Sequence, residues 1–200
     1  MNMISQIKEI KKKISSQILF DENLSKYSWF NLGGPAKVVF KPNNLNELSL
    51  FLKNLKGSNK IKVLGAGSNT LIRDGGFDGI IVKFGKSFSH LSLLNENTLI
   101  AGASALDRSV SNFASENSLS GFEFLSCIPG TIGGAIRMNS GCYGEDISKI
   151  LVSVQVMDLS GKVKVIYSSD IKLDKIYDDL DKPWSLTFID KENLIITEKK

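Results

Sequence analysis

Two glycine-rich runs hold the residues best able to do chemistry in this chain. The first is Val63-Leu64-Gly65-Ala66-Gly67-Ser68-Asn69-Thr70-Leu71-Ile72, and a strand-like segment leads into it. Glycines there let the backbone approach a ligand closely, and successive N–H groups can cradle a phosphate. Ser68 and Asn69 add hydroxyl and amide donors. The second run, 121–145, carries six glycines: Gly121, Gly130, Gly133, Gly134, Gly141 and Gly144. Phe122, Phe124, Leu125, Ile128, Ile132, Ile136 and Tyr143 thread through the same stretch. That mixture suits a loop packed against a flat, partly apolar ligand, with Asn139 and backbone N–H groups at the polar edges. A tight buried crossover between strands explains the same composition.

The first run is a poor match to a Rossmann dinucleotide fingerprint. The third glycine of G-x-G-x-x-G is Thr70, and Arg73-Asp74-Gly75-Gly76-Phe77-Asp78-Gly79 breaks any long following helix. No acidic residue stands in 85–90, where the ribose-binding carboxylate belongs. Other chemistries are removed by counting. There are two cysteines, Cys127 and Cys142, with no C-x-x-C, so a disulfide scaffold or cysteine-rich zinc site is excluded. The single histidine, His90, cannot make a multi-histidine metal site, and a Ser-His-Asp hydrolase would have to use it. No metal is expected.

Composition sets the frame for these sites. The 200 residues are 42% hydrophobic and 23% charged, enough for one large domain or two small ones with a real core. Lysine and arginine number 25 against 21 acidic residues, a net charge of +4. Much of the surplus lies in Lys8, Lys11, Lys12, Lys13, Lys199 and Lys200, so no nucleic-acid partner is expected. No apolar run approaches a membrane span, and no signal peptide is evident, so a cytoplasmic protein without membrane contact is expected.

The elements that must position the glycine runs can be read from periodicity. Ile4, Ile7, Ile10, Ile14 and Ile18 make one helical stripe over 4–18. Gly33-Gly34-Pro35 turns into a strand at 36–41. Asn44 precedes a helix carrying Leu45, Leu48, Phe51, Leu52 and Leu55, which Gly57 ends. Strands follow at 61–64 and 79–84, giving a small βαβ unit. Beyond it come a strand at 98–101, a helix at 105–117 and a hairpin of 151–157 with 162–167. One more hairpin is expected over 185–197.

Three separated segments, in order and at matching spacing, resemble the UDP-N-acetylenolpyruvoylglucosamine reductases, bacterial flavoenzymes of peptidoglycan precursor synthesis. They are Ser28-Trp29-Phe30-Asn31-Leu32-Gly33-Gly34-Pro35-Ala36, then 64–71, then 121–144, with Asp74 to Gly79 fitting the same pattern. The resemblance covers about residues 20–167. It implies an α+β fold: the FAD-binding fold of the vanillyl-alcohol-oxidase (PCMH) type, with two α+β subdomains clasping FAD. It divides the chain into an N-terminal helix at 1–20, subdomains at 21–84 and 85–169, and a divergent tail at 170–200. Gly65, Ala66, Gly67, Ser68, Asn69, Thr70 and Leu71 would hold the pyrophosphate side of the cofactor. Ile128, Pro129, Gly130, Thr131, Gly133 and Gly134 would pass close to the flavin. Gly102, Asn139, Gly141 and Cys142 would complete the cofactor wall, and Tyr143 would face the substrate. In the family reaction NADPH reduces the flavin, which reduces the enolpyruvyl group of a UDP-sugar.

The same resemblance implies no catalytic residue within this chain. The family serine sits in a Gly-Ser-x-Phe-type segment, and no Gly-Ser pair follows residue 140. Where the family carries a Tyr-Arg pair, Tyr177 is followed by Asp178 and Asp179, whose charge would repel what an arginine attracts. Arg137 is the last arginine. The expectation is an FAD-binding part with impaired turnover, completed by a companion chain if at all. The alternatives are a non-catalytic FAD module and a different flavin oxidoreductase on the same fold. Cys127 and Cys142 are expected to be small buried thiols, and His90 a surface residue.

Overall fold

Isoleucines three and four apart build the first helix, but only as far as Lys11: α1 spans Met3–Lys11 and buries Ile7 and Ile10. In this computed structural model, which describes residues 3–57, 59–171, 187–188 and 194–197, the expected helix to residue 18 gives way to strand β1, Gln17–Asn23. The reason lies between them. The Glu47 carboxylate accepts from Ser15 N (3.0 Å), Ser15 Oγ (2.8 Å) and Ser16 N (2.9 Å), which takes these backbone donors away from a helix. Ile18 is buried from the strand instead.

The βαβ unit forms as periodicity predicts. β2 is Pro35–Lys41, α2 Leu45–Asn54, β3 Ile61–Val63 and β4 Phe77–Val82. Asn44 caps α2 by accepting from Glu47 N at 2.9 Å. The sheet order is β1-β2-β4-β3, with β1 antiparallel to β2 and both β2 and β3 parallel to β4. β3 is therefore an edge strand. The face under α1 and α2 is filled by Val38, Phe40, Leu48, Phe51 and Ile80, with Phe40 and Phe51 stacked at 3.9 Å.

The second half is built from β5 (Leu91–Asn95), β6 (Thr98–Ala101), α3 (Asp107–Glu116), α4 (Ile132–Met138), β7 (Gly141–Cys142), β8 (Glu145–Asp146), α5 (Ile147–Ile150), β9 (Leu151–Met157), β10 (Val163–Tyr167), β11 (Thr187–Phe188) and β12 (Leu194–Thr197). A 3-10 helix, Glu123–Cys127, precedes α4. The larger sheet runs β10-β9-β12-β6-β5, every pairing antiparallel. The β9–β10 hairpin turns at Asp158, whose side chain accepts from Ser160 N at 2.8 Å and Lys162 N at 3.0 Å.

The hairpin expected over 185–197 is corrected. β11 and β12 both run antiparallel to β9, β11 opposite Met157 and Val156 and β12 opposite Val154 to Leu151. They lie end to end along one edge of β9 rather than pairing with each other. Val110, Ala114, Phe122, Leu125, Ile132, Ile136 and Val154 form the second core. Phe84 packs against this core and the first.

Candidate functional site

A cavity of about 1110 Å³ opens where the edge strand β3 faces the start of α3 and α4. From the first glycine run, Gly65, Ala66 and Thr70 line it; from the second, Thr131, Gly133, Gly134 and Arg137. The two runs touch here: a Cβ on Gly65 would stand 2.8 Å from Thr131 Oγ1. Glycine at 65 thus lets the two loops close on one space.

The first loop is held from behind by the segment around Trp29. Gly67 has φ +76°, and its carbonyl accepts from Trp29 N at 3.1 Å. Any Cβ there would meet Tyr27 O at 1.9 Å. Ser28 Oγ donates to Thr70 O at 3.2 Å, and Gly34 N donates to Arg73 O at 2.9 Å. The segments 28–36, 64–71 and 74–79, apart in sequence, are therefore packed on one another. The second loop is tied to the turn before α3: Ile132 N donates to Ala105 O at 2.9 Å and Gly133 N to Ala103 O at 3.0 Å.

Electrostatics give the cavity a sign. Lys60, Lys62, Lys83, Lys86 and Arg137 line it, and no acidic side chain among the described residues does. Lys83 Nζ donates to Gly65 O, joining β4's end to the first loop. Burial pulls the Lys83 ammonium below its ordinary range, and Lys41 adds to the effect. Burial likewise pulls the Arg137 guanidinium down. Both cations would regain favourable energy from an anion in the cavity. Sequence reasoning missed these cations, along with Ser104 and Ser109 on the same wall. The lysine immediately after the apolar run Ile80-Ile81-Val82 was the available signal for Lys83.

The other expected site residues lie outside the cavity lining, and several have visible structural roles. Gly102 turns tightly, its Cβ position 2.2 Å from Phe88 O. Asn139 closes α4 in the left-handed region and accepts from Ser148 N at 2.9 Å. Tyr143 and Gly144, both at positive φ, turn the β7–β8 hairpin, and Tyr143 is 88% exposed. Gly141 pairs within that hairpin. Asn69 Nδ2 reaches Met138 Sδ at 3.4 Å, and Leu71 points to solvent. Ser68 and Ile128 are partly buried, and Pro129 is exposed. Gly130 packs on Asp107, whose Oδ2 would be 2.5 Å from a Cβ there. His90 is exposed, and of the two thiols expected to be buried Cys127 is exposed and Cys142 half-buried. Among the described residues, no group of three or more His, Cys, Asp and Glu could hold a metal ion. No helix among them is long and apolar enough to cross a membrane.

A family model described as FAD binding domain matches residues 36–167. The chain is similar to a UDP-N-acetylenolpyruvoylglucosamine reductase of Pelagibacter ubique (strain HTCC1062): 49% identical over 183 residues, covering 87% of this chain and 61% of the relative. A protein of the same name from Phenylobacterium zucineum (strain HLK1) is 41% identical over 158 residues, 79% of this chain and 53% of the relative. Among solved structures, the UDP-N-acetylenolpyruvylglucosamine reductase of Thermus caldophilus matches with a TM-score of 0.65 at 26% identity, over 78% of this chain and 53% of that one. The chain thus spans 53–61% of the length of these curated relatives.

Proposed function

The chain belongs to the FAD binding domain family, with the FAD-binding fold of the vanillyl-alcohol-oxidase (PCMH) type, and from that premise we propose that it is the FAD-holding part of a UDP-N-acetylenolpyruvoylglucosamine reductase. The observation that carries this reading is the convergence of two glycine loops on one cavity whose charged lining, among the described residues, is cationic. The fit to FAD is chemical. A diphosphate needs cations and close backbone N–H groups, and Lys83, Arg137 and the Gly65 loop supply both. The volume, about 1110 Å³, exceeds the ~300–1,000 Å³ usual for drug-sized ligands and leaves room for a dinucleotide.

In this reading residues 21–84 and 85–169 are the two subdomains that clasp the cofactor. Gly65, Ala66 and Thr70 hold the diphosphate with Lys83 and Arg137. Thr131, Gly133 and Gly134 press on the flavin side, and the remaining loop residues hold these in place. FAD, when bound, carries hydride from NADPH to the enolpyruvyl double bond of the UDP-sugar. The chain's own part is to orient the cofactor, shield it from water and keep its charge neutralised. Tyr143, exposed at a hairpin tip, is in this reading the residue that meets the sugar nucleotide. No proton donor is assigned, because no Gly-Ser pair follows residue 140, and no charge-stabilising arginine, because Tyr177 is followed by two aspartates. The two aspartates after Tyr177 favour a second reading: an FAD module without redox turnover of its own.

The test is the visible spectrum of the purified chain after FAD is added and the excess removed. A flavin band at one FAD per chain is expected. Its absence sinks the reading. NADPH and the enolpyruvyl UDP-sugar are then added together. Sugar reduction by this chain alone would overturn the assignment of no catalytic residue. Flavin bleaching without sugar reduction would favour the module or a different flavin oxidoreductase.

A further inference from the structure

The two cysteines come from different elements and meet. Cys127 closes the 3-10 helix and is exposed, whereas Cys142 sits in β7 and is half-buried. β7 packs against that helix. Cys142 Sγ donates to Phe124 O at 3.2 Å. In a 3-10 helix the carbonyl of one residue points at the amide three residues on, so Phe124 O faces the turn that Cys127 ends. The thiol held at that carbonyl therefore stands beside Cys127. Desolvation raises the Cys142 thiol's pKa, and the Cys127 thiol, within hydrogen-bond reach, raises it further. Ser126 Oγ lies 3.6 Å from Cys127 Sγ on the solvent side.

We propose that Cys127 and Cys142 form a modification site: a dithiol that hydroperoxides oxidise to an intramolecular disulfide, stapling the 3-10 helix to the β7–β8 hairpin. The exposed Cys127 sulfur attacks the terminal peroxide oxygen. The O–O bond breaks, Cys127 becomes a sulfenic acid and one molecule of water or alcohol leaves. The Cys142 sulfur then attacks the Cys127 sulfur. The S–O bond breaks, a water leaves and the S–S bond forms. Two thiols are oxidised and one peroxide is reduced, with both thiol protons ending in the departing molecules. The closed ring encloses Gly130, Thr131, Gly133 and Gly134, so the staple constrains the loop that lines the cavity. The inference rests on sulfur geometry and stands whether or not FAD is the ligand.

Hydrogen peroxide added to the purified chain tests it by thiol titration and intact mass. Both thiols should be lost together, the mass should fall by two hydrogens, and a dithiol reductant should restore both. Non-reducing peptide mapping should join the peptides holding 127 and 142 within one chain. Cys142→Ser should stop at a Cys127 sulfenic acid that dimedone traps. Cys127→Ser should leave Cys142 titratable after the wild type has reacted fully. Disulfide-linked dimers, or Cys127 over-oxidised while Cys142 stays free, would overturn the proposal.

Discussion

Asp107 begins α3 with no exposed surface, and neither carboxylate oxygen has a hydrogen-bond partner among the described residues. Its place in the first helical turn favours the charge slightly, but burial dominates and pushes the carboxyl up from 3.8 to about 7. The folded state then binds a proton that the unfolded chain has released. Stability should be greatest below pH 3.8 as far as this group is concerned, decline as pH rises to about 7, and level off above. Asp107→Asn should remove that slope and stabilise the protein above neutral pH by at most ~4 kcal/mol, less the cost of an unpartnered amide. Urea midpoints across pH check it; a wild-type midpoint rising through this window in step with the Asp107→Asn difference would show a partnered, ionised Asp107. A second contrast separates two left-handed glycines. Gly57 has φ +86° with nothing within 4 Å of a Cβ, whereas at Gly67 a Cβ meets Tyr27 O at 1.9 Å. Gly57→Ala should cost only backbone strain, ~1 kcal/mol. Gly67→Ala should cost at least ~2 kcal/mol more, and it should also weaken FAD retention by displacing the Trp29 clamp. Equal losses in the two variants would mean the clamp relaxes freely.

The join of α1, β1 and α2 depends on one carboxylate. Glu47 receives both backbone and hydroxyl donors of Ser15 and Ser16 while its own N–H is capped by Asn44. Burial pushes this carboxyl up, yet the hydrogen bonds from Ser16 and Ser15 outweigh it and hold the value below 4.5. A lowered folded value means the contribution is present above pH 4.5 and is lost as pH falls through the folded value. Glu47→Gln should cost about 1.5–3 kcal/mol near neutral pH and expose the Ser15 and Ser16 amides to hydrogen exchange. Unchanged exchange would show that water replaces the carboxylate without loss. This clasp also marks where the sequence stopped being legible. α2 could be read because cap, stripe and stop all agree locally: Asn44, the Leu48-Phe51-Leu52 face, and Gly57. β1 could not, because its boundary depends on a side chain 31 residues away. α4 was hidden by Gly133 and Gly134, which lower helix propensity. β5 exposes Leu93 and Leu94 side by side, so no alternation announces it. The glycine loops could be read as candidates to face a ligand, and parts of both line the cavity, but the cations Lys83 and Arg137 converge only in the fold, and no sequence spacing links them to Gly65.

At the scale of the whole molecule, the cavity belongs to both halves of the chain. β3 and the Gly65 loop come from the first sheet, and α3, α4 and Thr131 from the second core. A ligand that fills it contacts both halves and is absent from the unfolded state, so it must raise the unfolding free energy by RT ln(1 + [L]/Kd). At a hundredfold excess over Kd this is ~2.7 kcal/mol, which for a chain of this size shifts Tm by about 5–10 °C. The nature of the lining predicts which ligands do so. Five cations, with no acidic counterpart among the described residues, favour a dianionic diphosphate over a neutral isoalloxazine alone. FAD should therefore raise Tm more than riboflavin at equal concentration, and its affinity should weaken as salt screens the cations. Lys83→Met should lower FAD affinity about tenfold, by removing a partly desolvated charge worth roughly 1.5 kcal/mol to an anion, while leaving the small riboflavin shift in place. Thermal melts with FAD, riboflavin and ADP, for wild type and Lys83→Met, decide the matter. Equal shifts from FAD and riboflavin, insensitive to salt, would mean that the cationic wall does not face the cofactor, and the two halves would then have to be joined by the flavin ring alone.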